Sequence, residues 1–469
     1  MIGRIKEVED LERMYDSNES EFVAVYGRRR VGKTYLVRET FDGRMVFQHA
    51  GLAKGGMRKQ LRNFHDSLIK QGFSGPCPVD WFEAFRQLED FIAKSDRKRK
   101  VVFIDEMPWM DTPRSDFVSA LESFWNGWAS ARKDVLLIVC GSAASWLVKN
   151  LFRNHGGLHN RVTWRIHLLP FTLNECERFA QDRGGVLSRR EIAECYMAIG
   201  GIPYYWRYLD RRFGLEQNFD QMFFAENAPL RNEFAELYAS LFHKAGGYMK
   251  IVSMLAKKKL GMNMTELAAA LKIKPNGTLT KQLETLENCG FIRSYRGFGS
   301  KKKNTVYQLV DNFTLFHFRF LESPSRDPNF WSSTSRSASQ QVWRGLAFER
   351  LCLLHTAQIR EKLRIGGVHT EVYAWRHLGD EVYPRGAQID LILDRDDGII
   401  NLCEMKFGDG PYALDKEEMD KLEYRRTVFC GITGTKRAVH LTMVTVNGLV
   451  ANAYRNSIQS EVTLDDLFT

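Results

Sequence analysis

Short unbroken apolar runs punctuate the first third of the chain: Phe22-Val23-Ala24-Val25-Tyr26, Met45-Val46-Phe47, Val101-Val102-Phe103-Ile104 and Val135-Leu136-Leu137-Ile138-Val139-Cys140. Runs this short, without polar alternation, predict strands buried on both faces, as in a parallel sheet covered by helices. Between them the rhythm turns helical. Val8, Leu11 and Tyr15 share one face of a helix over residues 1–20, residues 35–39 continue another, and 56–70 and 80–94 read as two more. A further strand is expected from Arg165 to Leu169. The pattern predicts an α/β domain with a parallel sheet over residues 1–170.

Past residue 170 the strands give way to helical spacing, and Gly200-Gly201-Ile202-Pro203 ends one helix and starts another. Residues 171–246 are expected to form a helical lid. In 247–322 the pattern is a helix at 248–260, a second at 266–271 capped by Thr265, a turn at Pro275-Asn276-Gly277 and a third helix at 278–288. Strands at 291–295 and 305–309 then flank a loop carrying Lys301, Lys302 and Lys303. Helix, turn, helix and basic hairpin predict a winged helix-turn-helix. The Pro- and Ser-rich stretch 323–340 reads as a linker. After it, a helix at 340–359 and strands at 388–394 and 399–406 open an α/β domain over 341–469.

Composition excludes more than it selects. The 469 residues are enough for about three domains, and 44% hydrophobic with 26% charged residues is ordinary for a globular chain. No apolar run approaches the ~18 residues of a membrane span, and the N-terminus lacks the apolar segment of a secretory signal, so a cytoplasmic protein with no membrane partner is expected. Eight cysteines without a C-x-x-C pair indicate neither a zinc site nor a disulfide framework. The net charge of +10 changes the picture because it is concentrated: residues 248–310 hold twelve Lys and Arg against three Glu, a net +9. That segment is expected to meet DNA, with Thr278, Thr280, Lys281 and Gln282 facing it. The competing reading is a protein-contact module with a solvated lysine loop.

The candidate chemistry starts at Gly27, Arg28, Arg29, Arg30, Val31, Gly32, Lys33 and Thr34, which fit G-x-x-x-x-G-K-[ST] between a strand and a helix. Glycines let consecutive N–H groups turn toward phosphate oxygens, Lys reaches the outer phosphates and Thr offers a hydroxyl to Mg²⁺, so ATP and Mg²⁺ are the expected ligands. Arg28, Arg29 and Arg30 either steer the nucleotide or contact DNA. Asp105 and Glu106 end a buried strand, where the first suits Mg²⁺ and the second an attacking water. Ser142, after the next strand, either senses the terminal phosphate or caps a helix. Among Arg153, Arg161 and Arg165, Arg161 is the favoured arginine finger.

A second constellation lies near the C-terminus. Glu404 and Lys406 are two apart and share a strand face. A three-residue loop, Asp396-Asp397-Gly398, pairs Arg395 with Ile399 and, stepping outward, Asp390 with Glu404. Two carboxylates beside a lysine suit a divalent metal that activates water, with Glu349 as an acid on the preceding apolar helix. A surface ladder of ion pairs is the competing reading.

With these residues in view, the chain resembles the archaeal-type P-loop ATPases of the AAA+/STAND group over nearly its full length. The matching pieces are Gly3-Arg4 with Glu7, Gly27 to Thr34, Val101 to Glu106, Gly141-Ser142, Gly200-Gly201-Ile202-Pro203, and Tyr307 to Asp311 with Phe313 and Phe316. Its C-terminal part resembles the restriction-endonuclease-like domain attached to many of them, with Asp390, Glu404 and Lys406 on the metal motif and Glu349 as the helix acid. Gln388 stands where relatives often carry an acid, and Ala387 to Asp390 lacks the proline of the endonuclease signature. The resemblance implies a Mg²⁺-dependent ATPase that binds DNA and carries a nuclease-like site. The rival expectation is a nucleotide-controlled interaction switch with an inactive nuclease-like domain, holding a protein partner or a second copy of itself.

Overall fold

The computed structural model describes residues 2–469 apart from 143, 153–156, 159, 243, 300–304 and 324, and the side chains of 144 and 145 also lie outside the description. The chain divides into two compact units, one of residues 1–170 with 288–290 and the other of 171–287 with 291–469. Among the described residues no helix is long and apolar enough to cross a membrane.

In the first unit the apolar runs become strands β1 (Glu21–Tyr26), β2 (Met45–Ala50), β3 (Lys100–Asp105) and β4 (Val135–Gly141), joined by β5 (Trp164–His167). All pair in parallel, in the order β2-β3-β4-β1-β5. β3 and β4 are buried at every position, as their unbroken apolar sequence requires. Helices α1 (Ile5–Asp16), α2 (Lys33–Thr40), α3 (Met57–Lys70) and α4 (Trp81–Ala93) fall where the helical spacing placed them. Asp80 caps α4 by accepting from Glu83 N–H at 2.7 Å. One more helix, α5 (Phe117–Gly127), buries Phe117, Leu121, Phe124 and Trp125 against α4. The order places β4 between the phosphate-loop strand and the Asp105 strand, so the carboxyl ends of β1, β4 and β3 lie side by side.

The second unit begins with short helices, including Leu173–Asp182, Arg189–Ile199 and Pro203–Trp206. Gly201 cannot be replaced there without a clash, because a Cβ would stand 1.9 Å from Phe171 O. Helices Ala245–Ala256, Met264–Ala270 and Gly277–Asn288 follow, with a three-stranded antiparallel sheet of β6 (Met262–Asn263), β7 (Ile292–Arg296) and β8 (Thr305–Leu309) in the order β6-β8-β7. The second helix is capped by Asn263, which forms a capping box with Glu266, and not by Thr265, which lies inside the first turn. Lys301, Lys302 and Lys303 lie outside the described residues.

The segment expected to be a linker is not a loose connection. Its short helix Phe330–Ser333 drives Trp331 to full burial, with ring centroids 5.0 Å from Phe219, 5.3 Å from Phe316, 5.0 Å from Phe320 and 5.2 Å from Trp343. Asp220 accepts from Trp331 N–H at 2.7 Å and Ser332 N–H at 3.2 Å. One large aromatic ring outweighs the serines around it. Helix Ala338–Leu354 then packs on a mixed sheet of β9 (Thr370–His377), β10 (Ala387–Arg395), β11 (Ile399–Lys406), β12 (Ala438–Thr445) and β13 (Ser460–Thr463), in the order β13-β12-β11-β10-β9. This helix stops at Leu354, five residues before the expected end, and a new helix starts at Thr356.

Candidate nucleotide site and candidate metal centre

The segment between β1 and α2 turns through three residues of positive φ, Gly27 at 148°, Arg30 at 70° and Gly32 at 96°. Such a turn directs backbone N–H groups inward, and α2 begins without a side-chain cap, which leaves its positive end for an anion. Gly27 also passes so close to the chain that a Cβ would stand 2.3 Å from Leu168 O. Gly27→Ala is therefore expected to distort the loop, lower stability by about 1–3 kcal/mol and abolish nucleotide binding. A fluorescent ATP-analogue titration alongside thermal melting checks this, and unchanged affinity would refute it.

Lys33 is 5% exposed and its ammonium donates to Gly27 O at 3.1 Å, Arg28 O at 2.9 Å and Ser142 Oγ at 3.3 Å. Burial lowers its pKa, while Glu106 and Asp105 act in the opposite sense. Thr34 Oγ1 donates to Asp105 Oδ2 at 2.7 Å. Burial raises the Asp105 pKa, and the Thr34 hydrogen bond counters it. The neighbouring hydroxyl and carboxylate are hard oxygen donors, the set that Mg²⁺ takes.

Glu106 has left-handed backbone angles, φ 46° and ψ 39°, which few non-glycine residues adopt. This carries its carboxylate to Ser142, whose Oγ donates to Oε1 at 2.6 Å and whose N–H donates to Oε2 at 3.3 Å. Asp105, Glu106, Lys33, Thr34 and Ser142 thus meet at the ends of three adjacent strands. Sequence placed all five but did not reveal that Ser142 bridges Lys33 and Glu106. Arg4 is a further contributor: its Nη2 donates to Val31 O at 3.3 Å, so the start of α1 braces the phosphate loop. Of the three loop arginines, Arg28 is buried, and Arg29 and Arg30 are half-buried.

Arg161 is not brought to this site. β5 runs parallel to β1 with Trp164 beside Val23 and His167 beside Tyr26, so Arg161 precedes the amino end of the sheet while the phosphate loop leaves the carboxyl end. The finger role within the same chain is corrected on that ground. Arg165 lies over the Phe152 ring at 4.4 Å, and Arg153 lies outside the described residues.

In the second unit the hairpin has the expected three-residue loop, closed by Gly398 N–H donating to Arg395 O at 3.2 Å, and Leu391 lies opposite Cys403. The paired register ends there, one step short of Asp390 and Glu404, and β10 is irregular between Ile389 and Ile392 where it pairs with β9. Gln388 Nε2 donates to Asp390 Oδ1 at 2.6 Å, so the residue in place of an acid orients the carboxylate.

The carboxylates do not gather as a bare Asp390/Glu404 pair. Asp390 and Glu349 share one cation, the Lys259 ammonium, at 3.0 and 2.6 Å. Glu404 is held instead by Arg425 at 2.5 Å and by Lys406 at 3.1 Å, and Lys406 also reaches Glu418 at 2.6 Å. No group of three or more His, Cys, Asp or Glu suited to a metal is gathered among the described residues. Burial, with Asp390 beside it, pushes Glu349 up to about 7. Burial alone would lower Lys259, but attraction to Asp390 and Glu349 prevails and its pKa is raised. Two oxygens already converge on one cationic point, and that donor chemistry fits a divalent ion. Lys259 and Arg425 escaped the sequence reading, since neither lies near Asp390 or Glu404 in the chain.

Comparison with known proteins bears on the first unit. Over 449 residues the chain is 24% identical to an uncharacterized protein of Methanocaldococcus jannaschii, covering 92% of each. A 45-residue stretch is 38% identical to an uncharacterized ATP-binding protein of the same organism, covering 10% of this chain and 76% of that one. In fold the chain is similar to a Walker-type ATPase of Pyrococcus abyssi, with TM-score 0.50 and 17% identity over 68% of this chain and 96% of that one. Residues 1–209 match the family described as an ATPase domain predominantly from Archaea, the stretch that holds the phosphate-loop geometry above.

Proposed function

We propose that the first unit hydrolyses ATP and that the second is a DNA-binding, nuclease-type module under its control. The observation that supports this most directly is the 2.7 Å contact of Thr34 with Asp105 beside the buried Lys33. The loop amides and Lys33 would hold the phosphates, and Thr34 with Asp105 would hold Mg²⁺, which when bound neutralises phosphate charge. Glu106 accepts a hydrogen bond from the attacking water and orients it, while Ser142 fixes the Glu106 carboxylate.

In the second unit, helices Met264–Ala270 and Gly277–Asn288 with the β7–β8 hairpin read as a winged helix-turn-helix. Thr278, Thr280 and Lys281 are exposed on the second helix and Gln282 is half-buried beside them, all within the +9 segment. Asp390, with Glu349 and Glu404 around it, would hold a divalent ion in an endonuclease-like centre, where Lys406 stabilises developing charge on the cleaved phosphate. The switch reading is favoured by one observation: each of these carboxylates is occupied by a basic side chain.

A divalent-metal cleavage assay on duplex DNA with wild type, Lys33→Ala and Asp390→Ala separates the readings. Loss only in Asp390→Ala gives an independent nuclease, and loss in both gives one gated by ATP. No cleavage in any variant leaves the switch. DNA binding itself is expected to weaken with salt at a log–log slope near −0.9 per phosphate neutralised.

A further inference from the structure

Lys259 stands 131 residues from Asp390 in sequence, yet its ammonium is the cation between Asp390 and Glu349. The turn that presents it is locked from both sides. Arg350, next to Glu349, donates to Lys259 O at 2.6 Å, and Gln308 of β8 donates to the same oxygen at 2.6 Å. Tyr295 of β7 donates its hydroxyl to Leu260 O at 2.5 Å. Gly261, at φ 82°, has space for no side chain, because a Cβ would stand 2.1 Å from Tyr307 O. Lys259 therefore belongs to the helix-and-hairpin segment but is spent on the carboxylates of the mixed sheet. It is not free for a DNA phosphate, unlike a solvated member of a lysine run.

We propose that Lys259 is a built-in plug: its ammonium takes the position of the divalent cation at Asp390 and Glu349, so the metal centre opens only when the turn that carries Lys259 shifts off the two carboxylates. This rests on the nuclease-type reading of that centre. The plug is electrostatic: it neutralises two neighbouring carboxylates that would otherwise repel each other and draw in a divalent ion. Charge and position also explain why one segment serves two purposes. A DNA duplex engaging the basic helix face pulls on the turn that carries Lys259, so substrate binding and metal entry are coupled.

The test is Mn²⁺ binding to the nucleotide-free full chain, followed by electron paramagnetic resonance, together with DNA cleavage. Lys259→Met keeps the aliphatic stem and removes the charge. It is expected to bind Mn²⁺ at least about tenfold more tightly than wild type, because its carboxylates are left uncompensated, and adding Asp390→Ala is expected to abolish the gain. Unchanged Mn²⁺ affinity in Lys259→Met overturns the plug. Tighter Mn²⁺ binding without cleavage upholds the plug and removes the nuclease reading, so the two fail separately. Loss of a cleavage that wild type shows makes Lys259 part of the reaction and also overturns the plug. A wild-type measurement stands beside these: acetylation of Lys259 by an amine-reactive ester, read by peptide mass spectrometry, is expected to rise when Mn²⁺ or duplex DNA is added. Equal protection with and without them overturns the proposal.

Discussion

Glu106→Gln is expected to leave ATP bound and slow its hydrolysis by roughly a hundredfold or more, the usual contribution of a positioned base. The geometry makes the substitution sharp. Glu106 accepts twice from Ser142, through Oγ at 2.6 Å and N–H at 3.3 Å. A glutamine keeps one accepting oxygen for the hydroxyl but turns an NH₂ toward the Ser142 N–H, and it cannot take a proton from water. Single-turnover hydrolysis with the ATP affinity measured separately checks this. An unchanged rate would assign water activation to another group. A loss of ATP affinity as large as the loss of rate would mean that Glu106 holds the loop and not the water.

The second large effect is structural. Trp331→Ala removes the fully buried ring that Phe219, Phe316, Phe320 and Trp343 surround, and should cost the second unit about 3–5 kcal/mol. Urea unfolding followed by circular dichroism measures it. A loss below about 1 kcal/mol would mean that the stretch 323–340 behaves as the linker its composition suggests.

The contrast between the two units shows what local pattern reveals. The β1, β3 and β4 runs and the phosphate loop were legible because each is a continuous segment whose chemistry is set by its own residues. The β10–β11 register was legible too, since a three-residue loop fixes which residues face each other. β9, β12 and β13 were not read: Thr370–His377 mixes charged and aromatic positions, and its burial depends on packing from elsewhere in the chain. Trp331 was hidden by its serine-rich surroundings. Lys259 sat in the run Lys257-Lys258-Lys259, and nothing local separates the one lysine that turns inward from its neighbours. Arg161 failed for a topological reason, because only the direction of β5 reveals which end of the sheet it occupies.

The place of β4 has a consequence for timing. The glycine loop leaves β1 and the carboxylates leave β3, two strands that are not neighbours, and besides the direct Thr34–Asp105 contact Ser142 at the tip of the strand between them touches both sides. Ser142 Oγ accepts from Lys33 while it donates to Glu106, so a lysine drawn to a terminal phosphate would take away one of the two neighbours that fix this hydroxyl. Under the proposed hydrolysis the strand order would act as an interlock, with the hold on Glu106 changing only once Lys33 has left Ser142 for a terminal phosphate.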